Sequence, residues 1–550
     1  MKVALCQVET RVGAFAENAE RIAAFAHEAR RRGAALAVFP ELAVAGYPPR
    51  DLLLRPDFVR EAARRTAEIA ARCPEDMKVL VGTVELGARK LRNVAALLEG
   101  GAVRASRAKS LLPSYDVFFE ERWFEPAPSI EPLGELGVLL CEDLWDERYE
   151  KKPARTLVAA GASVLVALNA SPYRKGVLDE RLRRARRTRA PLVYVNAVGA
   201  EDELVFDGGS FALDARGRLL AQLPRFEEAL AVVDMATEGD GGISSAERPE
   251  DLLDALVLGV RRFAERNGCR EAVLGLSGGV DSALVLSIAA RALGGRNVRA
   301  LAIPSRFNDP RSESEARALA RALGARFETV SLEPLLRAAE GALDLSGPTT
   351  FENAQARLRM LVLMADVNRR GGLLLNTSNK TELALGYGTL FGDLAGDLAP
   401  IGDLTKPEVY ALARLCPETP RFILERAPSA ELAPGQVDPF DYDRVSPLVD
   451  ALLRGESPED LVRRGAERAE VEELARRVKG AEHKRRLAPL VLKVSESAIG
   501  SGRLVPVTRG SSPSPLPRPD NCCTVLDEER DAWPPGEVAL GPSPRRSSSP

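Results

Sequence analysis

The stretch Glu271-Ala-Val-Leu-Gly-Leu-Ser-Gly-Gly-Val-Asp-Ser-Ala283 decides the fold of the second half of the chain. Its apolar run 272–276 predicts a buried parallel strand, and the apolar spacing that follows predicts a helix with Asp281 and Ser282 in its first turn. Glycine lets backbone N–H groups approach an anion closely, and the first amides of a helix lack helical partners and lie at the positive end of its dipole. The turn between strand and helix is therefore predicted to bind phosphate, with Asp281 placed to hold a metal ion.

The string Ser277-Gly-Gly-Val-Asp-Ser282 also indicates a reaction class. An ordinary strand-to-helix turn could contain a lone Gly-Gly, but the full string between a strand and a helix favours the phosphate-binding interpretation. It lacks the G-x-x-x-x-G-K-[ST] spacing of a Walker-type loop. It resembles the pyrophosphate loop of enzymes that transfer AMP from ATP to a carboxylate or amide oxygen, from which a nitrogen or sulfur nucleophile displaces it. The resemblance implies this chemistry but names no substrate.

Composition limits the remaining classes. At 550 residues the chain can form two or more domains, each with its own core. Its 76 basic and 79 acidic residues nearly balance, so nothing favours a nucleic-acid-binding or membrane-surface protein. No apolar run approaches the roughly 18 residues of a membrane span. The 7 cysteines include no C-x-x-C pair, which favours a reducing cytoplasm over a disulfide or zinc framework.

Glu41, Lys109 and Cys141 each stand at the exit of a predicted strand in the first half. A thiol needs a base to become a nucleophile, and a cation to stabilise the oxyanion that forms when it attacks an amide. The chain has only two histidines, His27 and His483, and His27 is predicted on a helix surface. We therefore expect a carboxylate to act as the base and an ammonium group to stabilise the oxyanion. Taken singly, a core thiol and two rim charges would be the simpler interpretation.

Longer strings around these residues carry a resemblance. They are Phe39-Pro-Glu-Leu42, Gly46-Tyr-Pro-Pro49, Lys109 with Leu112-Pro-Ser-Tyr115, and Leu140-Cys-Glu-Asp-Leu-Trp145. Together they resemble the nitrilase superfamily, and within it the glutamine-hydrolysing branch. The resemblance implies an α-β-β-α sandwich in which Glu41 is the general base, Lys109 stabilises the tetrahedral intermediate and Cys141 forms the thioester.

The same resemblance implies further residues of that site. It assigns Glu120 to the support of the catalytic lysine, and Tyr115 and Ser171 to glutamine binding. The chain departs from the family at Val177, where a lysine usually follows the glycine. Lys175, two positions earlier, is expected to reach the substrate instead, which leaves the amino-acid end of the glutamine pocket open.

Four strings in the second half extend the resemblance. They are Phe351-Glu-Asn-Ala-Gln-Ala-Arg-Leu-Arg-Met360, Asn376-Thr-Ser-Asn-Lys-Thr-Glu382, Gly386-Tyr-Gly-Thr389 and Glu482-His-Lys-Arg-Arg486. With the loop at 277–282 they resemble the glutamine-dependent NAD synthetases, over residues 3 to about 508. Successive βαβ patterns predict a doubly wound parallel sheet for this half.

This second resemblance implies the ligands of the synthetase site. The ATP-binding residues it implies are Gly275, Leu276, Ser277, Gly278, Gly279, Val280, Asp281, Ser282 and Thr377. Asp281 and Glu382 are the implied Mg²⁺ ligands, Asn353, Arg357 and Glu382 lie toward deamido-NAD, and Lys484 lies toward substrate or pyrophosphate. Electrostatics supports these ligands, because adenylation of a carboxylate brings two anions together and requires metal ions and basic side chains to offset their charge.

We therefore predict an α/β chain of four segments. Residues 1–236 form a nitrilase-like glutamine amidohydrolase domain, 237–250 a polar, glycine-rich linker, and 251–509 an NAD synthetase domain of the ATP-pyrophosphatase fold. Residues 510–550, rich in Pro and Ser, are predicted to be a disordered tail.

The expected activity is the ATP-dependent amidation of deamido-NAD to NAD with ammonia from L-glutamine. The expected partners are these small molecules and Mg²⁺, with no nucleic acid and no membrane, in a cytoplasmic homo-oligomer implied by the resemblance. Three alternatives remain at this point: an amidotransferase of the same class with another acceptor, a sulfur transferase using Cys269 or Cys416, and a non-catalytic scaffold.

Overall fold

The computed structural model describes residues 1–239 and 247–508, and its first half contains two large sheets and one two-stranded sheet. The strands are β1 (Lys2–Gln7), β2 (Leu36–Val38), β3 (Lys78–Leu86), β4 (Leu91–Glu99), β5 (Ala102–Ala108), β6 (Leu136–Leu140), β7 (Val164–Asn169), β8 (Leu192–Asn196), β9 (Val198–Glu201), β10 (Leu204–Asp207), β11 (Phe211–Leu213), β12 (Leu219–Gln222) and β13 (Ala229–Asp234). One large sheet has the order β13-β1-β2-β3-β4-β5 and the other the order β12-β11-β8-β7-β6, while β10 pairs with β9 in the two-stranded sheet. The helices are α1 (Phe15–Arg31), α2 (Pro56–Arg72), α3 (Pro153–Ala159) and α4 (Val177–Arg187).

Alternation of side chains along the central strands produces four layers. Val3 and Leu5 of β1 pack in one apolar cluster with Val166 of β7, so this cluster lies between the two sheets. Ala4 of β1, which points the other way, packs with Ile22 of α1. On the far side, α3 and α4 cover the second sheet through a separate cluster. The α-β-β-α sandwich expected from the sequence is confirmed.

The second half is a parallel sheet with helices on both faces, followed by a helical region. Its elements are α5 (Pro249–Arg266), β14 (Ala272–Gly275), α6 (Val280–Leu293), β15 (Val298–Ala302), α7 (Pro310–Ala322), β16 (Arg326–Thr329), α8 (Glu333–Ala342), α9 (Pro348–Arg370), β17 (Leu373–Leu374), α10 (Lys380–Leu385), β18 (Leu398–Ala399), α11 (Lys406–Arg414), α12 (Arg421–Glu425), α13 (Tyr442–Leu453), α14 (Pro458–Arg463), α15 (Arg468–Gly480), α16 (Glu482–Arg485) and β19 (Leu490–Val491).

The four strands β16-β15-β14-β17 pair in parallel. Leu274 of β14 lies in the cluster that contains α5 and α6, whereas Val273 lies in the cluster that contains α8 and α9. Both faces of the sheet are thus covered, and the predicted doubly wound fold is confirmed. The helix α5 begins at Pro249, inside the predicted linker, because proline suits the first turn of a helix.

The two halves pack directly against each other. Helix α5 lies on β9 and β10, and the cluster around Leu256 also contains Val205 of β10 and Val177 of α4. Near the C-terminal end, the Lys493 backbone N–H donates to the Glu203 carbonyl at 2.8 Å. Across residues 1–239 and 247–508, none of the helices combines the length and apolar character of a membrane span. The predicted tail, 510–550, lies outside the described residues.

Candidate active sites

The chain reverses sharply at Cys141, immediately after β6. Cys141 has φ +41°, a conformation in which non-glycine residues are strained and which clusters at functional sites. The buried Asp143 carboxylate holds this turn, since it accepts the backbone N–H groups of Leu140 at 3.2 Å, Ser110 at 2.8 Å and Leu111 at 2.9 Å. The thiol is thereby fixed at the end of the strand, next to the segment that carries Lys109.

Lys109 lies between two buried carboxylates. Its Nζ is 2.7 Å from Glu41 Oε1 and 2.8 Å from Glu120 Oε1, and all three side chains are almost fully buried. The amide of Asn93 donates to Glu41 Oε1 at 2.7 Å, and the backbone N–H of Ala170 donates to Glu41 Oε2 at 3.1 Å. Both oxygens of Glu41 therefore have partners, which fixes the orientation of its carboxylate.

Gly82 of β3 lies directly against the backbone of the segment that contains Glu41. A Cβ at Gly82 would lie 2.2 Å from the backbone nitrogen of Leu42, far inside contact distance. Any larger residue at this position would push the Glu41 segment out of place.

Burial sets the protonation states of this group. It raises the pKa of the Cys141 thiol well above its ordinary value; the nearby charge of Glu41 adds to the effect and that of Lys109 opposes it. Burial also raises the pKa of Glu120 to about 7. For Lys109 burial opposes the charge, but Glu120 and Glu41 outweigh it and the pKa is raised well above the ordinary value. The resting thiol is therefore protonated and requires a base, while Lys109 stays cationic.

A further buried carboxylate, Glu142, lies beside the thiol. The phenol of Tyr115 donates to Glu142 Oε2 at 3.0 Å, and that of Tyr149 donates to Glu142 Oε1 at 3.0 Å. Burial raises the pKa of Glu142 to about 7. Sequence reasoning assigned no role to Glu142 or Tyr149. The position of Glu142 directly after Cys141 was the available signal; none pointed to Tyr149.

Arg181 of α4 anchors the segment that contains Ser171. Its side chain is fully buried, and its guanidinium donates to the Ser171 carbonyl at 2.7 Å and to Asp207 Oδ1 at 2.8 Å. The Ser171 backbone N–H in turn donates to the Asn196 side chain at 2.9 Å. Sequence reasoning missed Arg181, although it falls on the same helical face as Leu178, which is buried.

Lys175 turns toward the second half of the chain. Its ammonium pairs with Glu408 of α11, and its backbone N–H donates to the Val494 carbonyl at 3.1 Å. Val177, two residues later, is 2% exposed and belongs to the apolar cluster between the two halves. Val177 is thus a packing residue between the two halves.

In the second half, the predicted phosphate loop joins β14 to α6. Gly278 has φ +80°, and a Cβ there would lie 2.5 Å from the Ser312 carbonyl oxygen, so only glycine fits. The Ser282 hydroxyl accepts the Ser277 backbone N–H at 3.3 Å and donates to the Gly279 carbonyl at 3.0 Å. These bonds close the loop around the first turn of α6, whose amides have no helical carbonyl to bind.

Asp281 and Glu382 converge on one ammonium group. Lys406 Nζ, at the start of α11, is 2.5 Å from Asp281 Oδ2 and 3.5 Å from Glu382 Oε1, and the Asn379 amide donates to Asp281 Oδ1 at 2.9 Å. Burial raises the pKa of Glu382 to about 8. The sequence did not identify Lys406, because it lies 125 residues from Asp281 along the chain. The oxygen donors of Asp281 and Glu382 are of the kind that suits a divalent ion of the Mg²⁺ type.

Three of the residues predicted to bind deamido-NAD meet at the segment 386–390. The Thr389 hydroxyl donates to Asn353 Oδ1 at 2.6 Å, Arg357 donates to the Leu390 carbonyl at 3.2 Å, and Lys484 Nζ donates to the Gly386 carbonyl at 2.7 Å. The fourth, Glu382, lies instead in the Asp281 group. Thr377 follows β17 and is half-buried.

Comparisons with known proteins agree with this division. The family model for carbon-nitrogen hydrolase matches residues 2–239, and that for NAD synthase matches residues 252–488. The chain is 40% identical to the glutamine-dependent NAD(+) synthetase of Synechocystis sp., over 93% of this chain and 99% of that protein. It is 32% identical to that of Thermotoga maritima, over 92% and 98%. A solved structure of the Acinetobacter baumannii glutamine-dependent NAD+ synthetase in complex with ADP is similar at a TM-score of 0.71, with 31% identity over 93% of this chain and 99% of that one.

Proposed function

The chain belongs to the glutamine-dependent NAD(+) synthetases, and from that premise we propose how its own residues divide the reaction. The enzyme amidates deamido-NAD to NAD with ATP and with ammonia from L-glutamine, giving AMP, pyrophosphate and glutamate. The observation that carries the assignment of roles is the presence of two separate buried charge groups. One surrounds Lys109 behind the thiol of Cys141, and the other surrounds Lys406 at the phosphate loop.

In the first half, Glu41 takes the proton of the Cys141 thiol as its sulfur attacks the carboxamide carbon of glutamine. The ammonium of Lys109 stabilises the oxyanion of the tetrahedral intermediate, in a site where burial strengthens the interaction. Glu41 then returns the proton to the departing nitrogen, so ammonia leaves and a thioester remains. Water attacks the thioester with Glu41 again as base, releasing glutamate and the free thiol. Glu120 keeps Lys109 oriented and charged throughout.

Recognition of glutamine requires partners for its α-ammonium and α-carboxylate groups. We assign the α-ammonium to the Glu142 carboxylate, which Tyr115 orients, and a further polar contact of the substrate to Ser171, whose segment Arg181 anchors. Within residues 1–239, Lys175 is the cation nearest in sequence to Ser171 whose ion pair is made with the other half of the chain, and we assign the α-carboxylate to it.

In the second half, the loop 275–282 and Thr377 bind ATP, and the loop holds its phosphates. The nicotinate carboxylate of deamido-NAD attacks the α-phosphorus of ATP, pyrophosphate departs, and ammonia then displaces AMP from the acyl adenylate. The backbone N–H groups at the start of α6 and the ammonium of Lys406 reduce the repulsion between the deamido-NAD carboxylate and the ATP phosphates. Asn353, Arg357 and Lys484 orient deamido-NAD from the segment 386–390.

Mg²⁺ is the cofactor that we assign to Asp281 and Glu382. The two carboxylates are oxygen donors of the kind that Mg²⁺ prefers, and they lie within reach of the same point in space, where Lys406 now pairs with both. When bound there, the ion would offset phosphate charge and polarise the phosphoryl oxygens.

We also assign a homo-oligomeric state, through the exposed stripe of α9. Leu361 is 56% and Met364 40% exposed, and they lie one helical turn apart on α9. Apolar side chains grouped on one helix face indicate a protein contact. Light scattering of the wild-type protein against Leu361→Glu tests this, since a monomeric wild type would contradict it.

The decisive experiment measures NAD formation with deamido-NAD, using L-glutamine or ammonium as the nitrogen donor. Turnover with both donors, with pyrophosphate and AMP formed in equal amounts, supports the proposed division of roles. Other carboxylate acceptors form the control for the alternative of a related amidotransferase. The sulfur-transfer alternative is not favoured, because the family model for NAD synthase spans the part of the chain that carries both Cys269 and Cys416.

A further inference from the structure

Arg107, near the end of β5, is a buried cation to which the reaction described above gives no role. The residue is 4% exposed, and its guanidinium forms no ion pair within the described parts of the chain. One of its nitrogens donates to the Ser110 hydroxyl at 2.7 Å and another to the Ala108 carbonyl, while Nε has no hydrogen-bond partner among the described residues. Arginine is rarely buried without a carboxylate in contact, because the loss of hydration is costly. This burial indicates that the charge acts on a group beyond its hydrogen bonds.

That group is the carboxylate of Asp143, which is fully buried. Ser110 joins the two side chains, since its hydroxyl accepts from Arg107 and its backbone N–H donates to Asp143 Oδ1 at 2.8 Å. Burial raises the pKa of Asp143 to about 6, and the charge of Arg107 is the strongest influence that opposes this rise. In the other direction, burial lowers the pKa of Arg107, and the charge of Asp143 is the first to oppose that effect. The two charges therefore stabilise each other across Ser110.

The ionised form of Asp143 holds the turn that carries the thiol. Its two oxygens accept three backbone N–H groups, from Leu140 and from the segment 110–111. Protonation would turn one of these oxygens into a donor and leave an N–H group without its acceptor. The backbone of Cys141, at φ +41°, keeps its strained conformation only while its surroundings hold it. We therefore expect protonation of Asp143 to release the turn and to move the thiol away from its general base.

The other cations around the turn are either paired or exposed. Lys109 is bound between two carboxylates of the catalytic group, and Arg155, on the helix α3 that packs on the turn, is exposed. The strands β6 and β7, which also pack on the turn, carry no titratable side chain. The remaining titratable groups near the two charges are Cys141, Glu142 and Glu131. Among the described residues, Arg107 is thus the buried cation that is left to act on Asp143.

We propose that Arg107 is a positioning residue of the glutamine reaction, whose charge keeps Asp143 ionised so that the turn holds the thiol of Cys141 in place at neutral pH. The inference rests on the proposed function, because it takes Cys141 as the nucleophile. It concerns the reaction with glutamine alone, since ammonium-dependent synthesis bypasses the thiol. Without the charge of Arg107, Asp143 takes up its proton at a higher pH, and a smaller fraction of the enzyme is active near neutrality.

The test measures kcat for glutamate release, at saturating glutamine and between about pH 5 and pH 9, in wild type and in Arg107→Met. In wild type, kcat should fall as the pH drops through the pKa of Asp143, which is about 6. In Arg107→Met this fall should move to higher pH by about one unit or more, as removal of a nearby opposite charge does, so kcat at pH 6 drops about fivefold relative to wild type. Saturating glutamine keeps the expected effect of Glu142 on KM out of the measurement.

Further variants separate charge from packing. Arg107→Lys retains the charge and should return the fall in kcat toward the wild-type pH. Arg104→Met is the matched control, because it removes an exposed arginine from the same strand, and it should keep the wild-type profile. Ammonium-dependent NAD formation over the same pH range should be unchanged in all these variants, which reports that their fold is intact.

Two outcomes would overturn the proposal: an unshifted pH profile in Arg107→Met, whatever its absolute kcat, or a profile in Arg107→Lys that matches that of Arg107→Met. If Arg107→Met does not fold, Arg107→Gln takes its place, since glutamine still donates to the Ser110 hydroxyl but carries no charge, and an unshifted profile there counts equally. Failure of the proposed function itself would look different, because Cys141→Ala would then still release glutamate.

Discussion

Cys141 is distinguished from the other described thiols by its surroundings. Cys6, Cys73, Cys269 and Cys416 are also free, but Cys141 alone among them combines a strained backbone with the charges of Glu41 and Lys109. We expect Cys141→Ala to reduce glutamine-dependent NAD formation by at least about a thousandfold, since it removes the nucleophile. Ammonium-dependent formation should persist, because that reaction bypasses the thioester.

The control for this change is Cys269→Ala, which removes a partly exposed thiol from the second half. It should retain both activities. If Cys141→Ala lost ammonium-dependent turnover with its fold intact by circular dichroism, the two reactions would not occupy separate sites.

The proposed contact between Glu142 and the α-ammonium of glutamine predicts that glutamine binding depends on pH. Burial raises its pKa to about 7, so in the folded enzyme it is neutral below that pH and a carboxylate above it. Only the carboxylate attracts the α-ammonium of glutamine. We therefore expect the glutamine KM to rise as pH falls through 7, to about tenfold its alkaline plateau one unit below the pKa.

The matched variant is Glu142→Gln, which retains an acceptor for the phenol of Tyr115. Its glutamine KM should be high and independent of pH between 6 and 8.5. If the glutamine KM of this variant still followed the wild-type pH profile, the pH dependence would arise from another group, such as Glu120.

Asp281 is expected to matter for one reaction only. Asp281→Asn removes a negative charge from the pair that we assign to Mg²⁺ and leaves Lys406 beside a neutral amide. NAD formation from either nitrogen donor should fall by about a hundredfold or more, as losses of transition-state charge stabilisation do. Glutamate release should continue, and the Mg²⁺ concentration required for half-maximal synthesis should rise. Near-normal ammonium-dependent synthesis would remove Asp281 from this role.

Strand ends were the part of the fold that the sequence predicted best. Buried parallel strands appear as short apolar runs, and Glu41, Lys109 and Cys141 followed from where those runs stop. The structure confirms the strands and brings the three side chains together. Residues such as Lys406 could not be found in this way, because no local pattern shows that a side chain will meet a partner 125 residues away.

Helix α4 is an intermediate case. It contains several arginines, and among those that the structure describes only Arg181 is fully buried. Its helical spacing from the apolar Leu178 predicts that Arg181 lies on the buried face, but this conclusion was not drawn from the sequence. The sequence does not show what a buried guanidinium will contact. The structure supplies the contacts, in the Ser171 carbonyl and the Asp207 carboxylate.

We expect Arg181→Ala to destabilise the protein strongly. It would leave the fully buried carboxylate of Asp207 with one fewer cation, and breaking buried ion pairs typically costs about 3–5 kcal/mol of unfolding free energy. Arg225 also pairs with Asp207, so the lower end of that range is expected. Arg183→Ala, an exposed arginine of the same helix, should change the value by less than about 0.5 kcal/mol. Urea unfolding of the two variants measures the difference, and equal effects would contradict the anchoring role.

The two halves share one apolar cluster, and this makes their stability a common property. Side chains of α4 and β10 pack in the same cluster as those of α5, while Arg266 of α5 contacts Glu9 across the same boundary at 3.2 Å. The phosphate loop follows α5 by one strand, so the position of the loop relative to the glutamine site depends on this packing.

The substitution Val177→Lys distinguishes two interpretations of position 177, where the sequence resemblance implied a lysine. If the position faces the glutamine pocket, Val177→Lys should restore a cation there and lower the glutamine KM. The structure instead buries Val177 to 2% exposure in the shared cluster, where an ammonium group would be unpaired. We therefore expect Val177→Lys to lower the thermal midpoint of the whole protein, because burying an unpaired charge costs several kcal/mol.

Val158→Lys is the matched control, since Val158 is 37% exposed and lies in α3. It should leave the thermal midpoint within about 2 °C of wild type, as exposed substitutions do in a chain of this size. In Val177→Lys the lost packing also loosens the segment between Ser171 and α4, so the glutamine KM should rise while ammonium-dependent synthesis changes less. A stable Val177→Lys with a lower glutamine KM would mean that the side chain reaches the pocket, and that the valine was the only obstacle to a cation at that position.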